Sequence, residues 1–587
     1  MRENVGISRR TLLKALPAAA LVAASDGILA LPPAAAAAAF PQPVVRSPRA
    51  AAGTAQTAAG RPRAVLEQTL DVRFTDTDIP GYGTATTRTY NGTIPGPTLR
   101  VRAGDTLRLR QINGLPPDRP YRGPHNRPHH QNTFNLHTHG LHVSPSGNAD
   151  NILREFRPRT ADEVEAGAPE PEYLTTVGIP DGHPAGTYWY HPHVHGSTAE
   201  QIAGGMAGVI IVEGDVDEVP EIAAAADVVV CINELRLKKG KVPEFTAGDT
   251  FAAVAPTFTV NGEVNPTLVL RPGEVQRWRL VGALAFTTLP LHLTDGDDDV
   301  TLYQIAQDGI TFPAPVATGT LVMAPGNRAD VLVLGGDPGT YELRADGVSG
   351  PLMTVEVSGE AVSPPMGLPD RLPQGKPFLD ADDVTDPDDE RSVVFHVDGG
   401  VFARPFPNAY RVLGSNPTPA ADPDGDLAVD PAYGLFDPDY VNHTLALDTV
   451  QRWTVRTDDD RPVFHHSFHL HTNHFLVTHR NGERLDPPVW HDTVSLAGGR
   501  PGDTFTFLVK YEDFTGRTVL HCHQLQHEDL GMMQLIDYVE PRRPESGSPG
   551  SGHHGHRPGP SGQAGRPGRD GRDGQDGKPG RVLPVGR

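Results

Sequence analysis

The sequence predicts an all-β protein built from three successive β-sandwich domains, and three observations carry that expectation. Between about residue 62 and residue 540, short β-branched or aromatic runs alternate with clusters of Gly, Pro and Asp, and helical periodicity is scarce. Three stretches echo one another: PTLRVRAGDTLRLRQIN from Pro97, PTLVLRPGEVQRWRLVG from Pro266 and HTLALDTVQRWTVRT from His443. They recur at a spacing of roughly 170 residues, too long for a solenoid repeat and suited to copies of one domain. Length agrees, since at about 150 residues per domain a chain of 587 residues holds three or four domains, less its termini.

The first segment, residues 1–61, reads as a signal and an Ala/Pro-rich linker. Arg9 and Arg10 precede a moderately apolar stretch from Leu12 to Ala24, which resembles a twin-arginine export signal. That route carries folded proteins, so the expected destination is outside the cytoplasm, secreted or in the periplasm or cell envelope, with any cofactor loaded beforehand. The first domain is expected over 62–215, ending where VIIVEGDVDEVP leaves a strand. The second spans 216–375 and the third 376–540, separated by the Pro/Asp-rich stretch from Pro364 to Glu390. The acidic run from Asp380 reads as a solvated linker, because nothing in it matches an EF-hand loop. Residues 541–587 form a low-complexity basic tail in which glycine takes every third position from Gly559 to Gly580, the period of collagen. The tail reads either as a disordered basic extension or as an element of self-association.

A formal charge of -21 argues against nucleic acid or an anionic membrane surface as partner, because both require basic patches. No apolar run past the N-terminus reaches the ~20 residues of a membrane span. Only two cysteines occur, so Cys231 with Cys522 is the one conceivable disulfide. Cys231 lies in DVVVCINEL, a run that reads as a buried strand with the thiol as a small core group. Cys522 is left for chemistry.

Many of the 26 histidines gather in four places: HTHG at His137, WYHPHVHG at His191, HHSFHLH at His465 and HCHQLQH at His521. On a β-strand, residues two apart share a face, so His137/His139, His191/His193, His469/His471 and His521/His523 each present two imidazoles in one direction. Cys522, between its two histidines, must point the other way. So must His466, three residues before His469. His527 joins them if the turn after the strand brings it round. One thiolate, two imidazoles and a distant thioether are the donors of a blue-copper electron-transfer site, with Met532 as the weak axial ligand in preference to Met533. Eight imidazoles are too many for one metal; shared among three coppers, they leave open positions for dioxygen.

These motifs, HxH, HxH, HxxHxH and HCHxxxHxxxxM, are similar to those of three-domain multicopper oxidases of the laccase-like group, and the resemblance covers nearly all of residues 62 to 540. It implies three consecutive cupredoxin-like Greek-key domains and four copper ions. It assigns His466, Cys522, His527 and Met532 to a type 1 copper and His137 and His469 to a type 2 copper. His139, His191, His193, His471, His521 and His523 fall to a type 3 pair. The third motif departs from many relatives in placing Asn473 where a further histidine would stand, with His474 one place later. His465, His474, His142, His195, His129 and His130 read as supporting or surface groups. The resemblance also suggests Glu528, and Asp150 in a loop of altered length, as acids that deliver protons; the plainer roles are ligand orientation for Glu528 and a turn cap for Asp150.

The expected activity is one-electron oxidation of phenolic or aromatic amine donors coupled to reduction of dioxygen to water. Candidates for the walls of the donor pocket are Pro407 to Tyr440 and Pro116 to Asn132. The alternatives are a Cu(I) or Mn(II) oxidase, a bilirubin-type oxidase, or a copper-free structural protein of the envelope or of cell division. Seven methionines, none clustered outside the last motif, weigh against a Cu(I) specialist. Loss of ligands would mark the copper-free class, and no expected ligand is missing.

Overall fold

In each of the three echoing stretches the chain crosses from one sheet to another, and it does so in the same way. The strand Thr98–Arg102 pairs in parallel with Gly208–Glu213, and Thr106–Asn113 then pairs in parallel with Ala64–Ile79 in the opposite sheet. The strand Thr267–Leu270 likewise pairs with Met353–Val357 before Val275–Ala283 joins Ala226–Leu235. Val441–Ala446 pairs with Met533–Val539 before Val450–Thr457 joins Arg391–Val397. Each crossing turn contains a residue with positive φ, Gly104 (86°), Gly273 (74°) and Asp448 (57°), a conformation open to glycine and tolerated by Asp. The repeated sequence therefore encodes a repeated topology, three cupredoxin-like Greek-key sandwiches in series.

This computed structural model describes residues 40–50, 56–58, 60–243, 254–296, 298–398, 410–420, 432–459, 465–499 and 502–541. The twin-arginine segment and the glycine-periodic tail lie outside the described residues. Among those described, no helix is long and apolar enough to cross a membrane.

Each sandwich closes over its own apolar core. Leu107, Val177 and Ile210 belong to the first, Trp278, Leu291 and Val331 to the second, and Trp453, Phe468 and Phe507 to the third. Alternation explains the split: along Thr106–Asn113, Leu107 and Leu109 are buried while Arg108 and Arg110 are exposed. A further apolar cluster joins the domains, with Trp189 and Ile211 of the first against Cys231 and Val281 of the second and Leu525 of the third. Cys231 is thus a fully buried packing group, and both cysteines are free thiols.

A charge network in the second domain also reaches the first. The guanidinium of Arg277 donates to Asp330 and Asp217, and Arg279 donates to Asp227 and Asp217, all largely shielded from solvent. Asp227 also accepts from Arg100 of the first domain. The histidine motifs of the first and third domains face one buried space.

Candidate metal centre

Cys522 ends the strand Gly516–Cys522, next to Phe468 of the strand His465–Leu470. Its Sγ lies 3.6 Å from Nδ1 of His466 and 3.6 Å from Nδ1 of His527. His527 arrives on the short helix Leu525–Asp529, and the chain then folds back so that the Cys522 amide donates to the carbonyl of Met532. The Met532 amide in turn donates to the carbonyl of His527. These two backbone bonds place Met532 beside the cysteine in the same apolar cluster, with no exposed surface. Burial pushes the Cys522 thiol up to about 12, so a thiolate here calls for a cation at the sulfur.

On the other side of that strand the eight remaining histidines converge. Each is at most 1 % exposed. Their nitrogens form three groups whose ligand atoms all lie within 4.8 Å of one another: His137, His139 and His469; His139, His191 and His523; His193, His471 and His521. Each group draws on both the first and the third domain. The strand geometry expected from sequence is only half realised: three of the four strands stop at His191, Leu470 and Cys522, so the second histidine of those pairs sits just past the ladder. Side-chain and backbone bonds extend the strands instead, His193 N donating to Asn135 Oδ1 and His523 N to the carbonyl of Ser467.

The inward nitrogens are chosen by what holds the outward ones. His137 is bonded through Nδ1 to Asp150, His469 through Nδ1 to the carbonyl of Asp492, and His191 through Nδ1 to that of Pro192. His139 is held at Nε2 by Asp492 and Thr493. Such bonds fix the tautomer and aim the free lone pair. Nε2 of His137, Nε2 of His469, Nδ1 of His471 and both nitrogens of His523 are buried with no hydrogen-bond partner. Burial and mutual repulsion push His137, His139, His191, His469, His471 and His523 well below the usual imidazole range, so they are neutral donors. The Nε2 of His521 lies 3.1 Å from Nε2 of His193 and 3.2 Å from Nε2 of His471. Three nitrogens about 2.0 Å from one metal are separated by roughly this distance. The donors fit metal ions and leave unpaired lone pairs without them.

Two acids from the sequence reading stand at this centre. Asp150 bonds His137 Nδ1 and the amide of Thr138, and burial outweighs those bonds to push its carboxyl up to about 7. Glu528 is fully buried, its carboxylate 3.2 Å from His521 Nδ1 and 3.5 Å from His193 Nδ1. Beside it, Asp529 accepts from the amides of Gly196 and Ala199, while burial and the charge of Glu528 push its own carboxyl well up.

The cysteine centre is reached from the other direction. Tyr410 stacks on His527 with centroids 4.5 Å apart, and Phe286 of the second domain meets the same ring edge-on at 6.0 Å. Phe286 is held there because Glu234 accepts the amides of Ala285, Phe286 and Thr287. Tyr410 belongs to one segment expected to wall the donor pocket; residues 407–409 and 421–431 of that segment lie outside the described residues. The other expected segment, Pro116 to Asn132, meets the first at Phe436, whose carbonyl accepts from Asn126. It lines a cavity of about 770 Å³ with Tyr121 and His129, and packs its Asn126 against His195 and Phe436.

His142, His195, His465 and His474 stand outside the three imidazole groups and the cysteine site, as do His129 and His130. His474 bonds the carbonyl of Asp308, and His142 bonds that of Thr472. Sequence reasoning missed Asp492, Arg328, Phe286 and Asp529. Asp492 follows His491 in WHDTV, outside every histidine motif, and Arg328 sits in an unremarkable strand.

Three cupredoxin-like domains enclosing one cysteine-bearing centre and one all-imidazole centre define a protein with two separate buried metal-binding centres. The chain belongs to the multicopper oxidase family. Family profiles described as multicopper oxidase match residues 71–120 and 125–217, and again residues 408–541. A laccase from Bacillus stratosphericus is 24% identical, over 77% of this chain and 90% of the relative. A cell division protein FtsP from Salmonella typhimurium is 27% identical, over 70% and 76%. The solved structure of a multi-copper oxidase from Pediococcus acidilactici superposes with a TM-score of 0.65 at 22% identity, covering 86% of this chain and 92% of that one.

Proposed function

We propose that the protein is an exported oxidase that takes single electrons from phenolic or aromatic amine donors and uses them to reduce dioxygen to water. Cys522, His466, His527 and Met532 would hold one copper ion and the eight histidines three, and copper, when bound, would supply the one-electron and four-electron redox chemistry. One observation carries this reading. Cys522 faces one centre while His521 and His523, its direct neighbours, face the other.

An electron entering at the cysteine has a covalent path of one residue to either imidazole. His527, partly flanked by Tyr410 and Phe286, gives a flat aromatic donor a ring edge to approach. Glu528 holds a proton-accepting carboxylate against His521, and Asp150 does so against His137. Protons can therefore be supplied at both edges of the imidazole centre.

The FtsP likeness keeps a copper-free structural role as a second reading, and the complete donor set weighs against it. Oxygen uptake by copper-loaded protein, run against phenols, aminophenols, bilirubin, Cu(I) and Mn(II), tests the proposal. The organic donors should lead. A preference for the metal ions overturns the donor class, and no uptake with any donor overturns the oxidase.

A further inference from the structure

Among the described residues the second domain contributes no ligand to either centre, yet one of its side chains reaches the imidazole centre through a single intermediary. Arg328 has no exposed surface, and its five N–H groups meet acceptors from all three domains. Nε donates to the carbonyl of Thr187 in the first domain at 3.3 Å. Nη1 donates to the carbonyl of Gly326 and Nη2 to that of Asp308, both in the second and both at 3.0 Å. The remaining two N–H groups grip the carboxylate of Asp492 in the third, at 2.8 Å and 2.5 Å.

Asp492 spends its other acceptor capacity on the histidines. Its Oδ1 lies 3.3 Å from His139 Nε2, its backbone carbonyl accepts from His469 Nδ1 at 2.8 Å, and Thr493 Oγ1 donates to Oδ1 at 2.9 Å. His139 and His469 are members of one triad of nitrogens, contributed from opposite domains. The space is closed on both sides by glycine. A Cβ on Gly140 would fall 2.1 Å from Nη2 of Arg328, and one on Gly326 would fall 2.9 Å from Cε1 of His139.

We propose that Arg328 is a positioning residue for the imidazole centre: by fixing Asp492 in a fork, it sets the tautomers of His139 and His469 and ties their ring planes to the second domain. The inference rests on the copper reading above. Lysine cannot substitute, because an ammonium has three donors and no planar fork.

The test uses the full-length copper-loaded protein and the variants Arg328→Lys, Arg328→Met and Asp492→Asn. The readouts are copper per chain, the visible absorption of the cysteine centre, and the paramagnetic resonance signal of the copper that lacks a sulfur ligand. All three variants should keep the visible band while copper affinity at the imidazole centre falls about 10- to 100-fold and the resonance parameters shift. Asp492→Asn preserves shape, so it reports even where the Arg328 variants fail to accumulate. Wild-type resonance parameters and full copper in the variants overturn the inference. So does loss of the visible band in step with the cluster copper, which marks general unfolding. Wild-type protein that takes up no copper overturns the function itself, and this inference with it.

Discussion

The imidazole of His139, from the first domain, lies against that of His469, from the third, with ring centroids 3.9 Å apart and planes 9° from parallel. His137 and His471 repeat the arrangement at 4.0 Å and 12°. Neutral imidazoles whose lone pairs converge gain little from each other, so the centre is a product of domain docking and its donors are arranged to hold metal.

Copper removal should therefore lower thermal stability. Ions that bind the folded chain far better than the unfolded one stabilise it by mass action, about 4 kcal/mol at a thousandfold excess over Kd. Chelated protein should melt below copper-loaded protein, and readdition should restore the melting temperature in scanning calorimetry. An unchanged transition would mean the donors are satisfied by something else.

Cys522→Ser should abolish the visible band and reduce turnover to background while leaving copper in the imidazole centre. Elemental analysis should find about three ions per chain in place of four, with the loss confined to the thiolate site. Retained colour would show that the sulfur is not a ligand.

Glu528→Gln keeps the size of a fully buried side chain and removes its charge. The expected effect is a fall in kcat of about 100-fold with the visible band unchanged, as for loss of a positioned proton-transfer group. Steady-state oxygen consumption with a fast donor reads it. An unaltered kcat would return Glu528 to the role of orienting His521.

Removing Phe286 or Tyr410 as alanine should change KM for aromatic donors by about 2- to 10-fold, the size of one aromatic contact, without affecting KM for dioxygen. Comparing a phenol with a small inorganic reductant separates docking from electron transfer. Equal effects on both donors would place the aromatic contact elsewhere.

Asp227 predicts the acid limb of stability. Burial alone would raise its carboxyl, but Arg279 and Arg100 outweigh it and hold it down to about 2, against an ordinary 3.8. A carboxylate with a depressed pKa stabilises the fold above about pH 4 and loses that contribution as pH falls toward 2. Asp227→Asn should cost about 1–2 kcal/mol at neutral pH, discounted for a side chain 28% exposed, and the gap from wild type should close near pH 2. Urea unfolding across that range measures it.

Gly326→Ala should be disruptive out of proportion to one methyl group. Its φ is +93°, where alanine is strained by about 1–3 kcal/mol, and the new Cβ meets the ring of His139. Reduced copper at the imidazole centre with an intact visible band is the expected result.

Much of this was legible in the chain. The three echoes predicted repeated sandwiches because a crossing between sheets needs the same alternation and the same turn each time, at Gly104, Gly273 and Asp448. Strand periodicity separated Cys522 and His466 from the paired histidines, although the ladders at His191, Leu470 and Cys522 stop one or two residues short. The packing of the loop from Pro116 to Asn132 on Phe436 was not legible, because loop position follows from tertiary contacts and not from local pattern.

By itself the sequence determined which side chains share a strand face, and so which donors sit with the sulfur and which sit apart, because residue alternation is a local property of extended backbone. Only the tertiary structure decided how they are aimed. Arg328 and Asp492 bond across a domain boundary, and Phe286, held by Glu234, meets His527 across another, so their partners lie far apart in the chain and no spacing along a single strand encodes them.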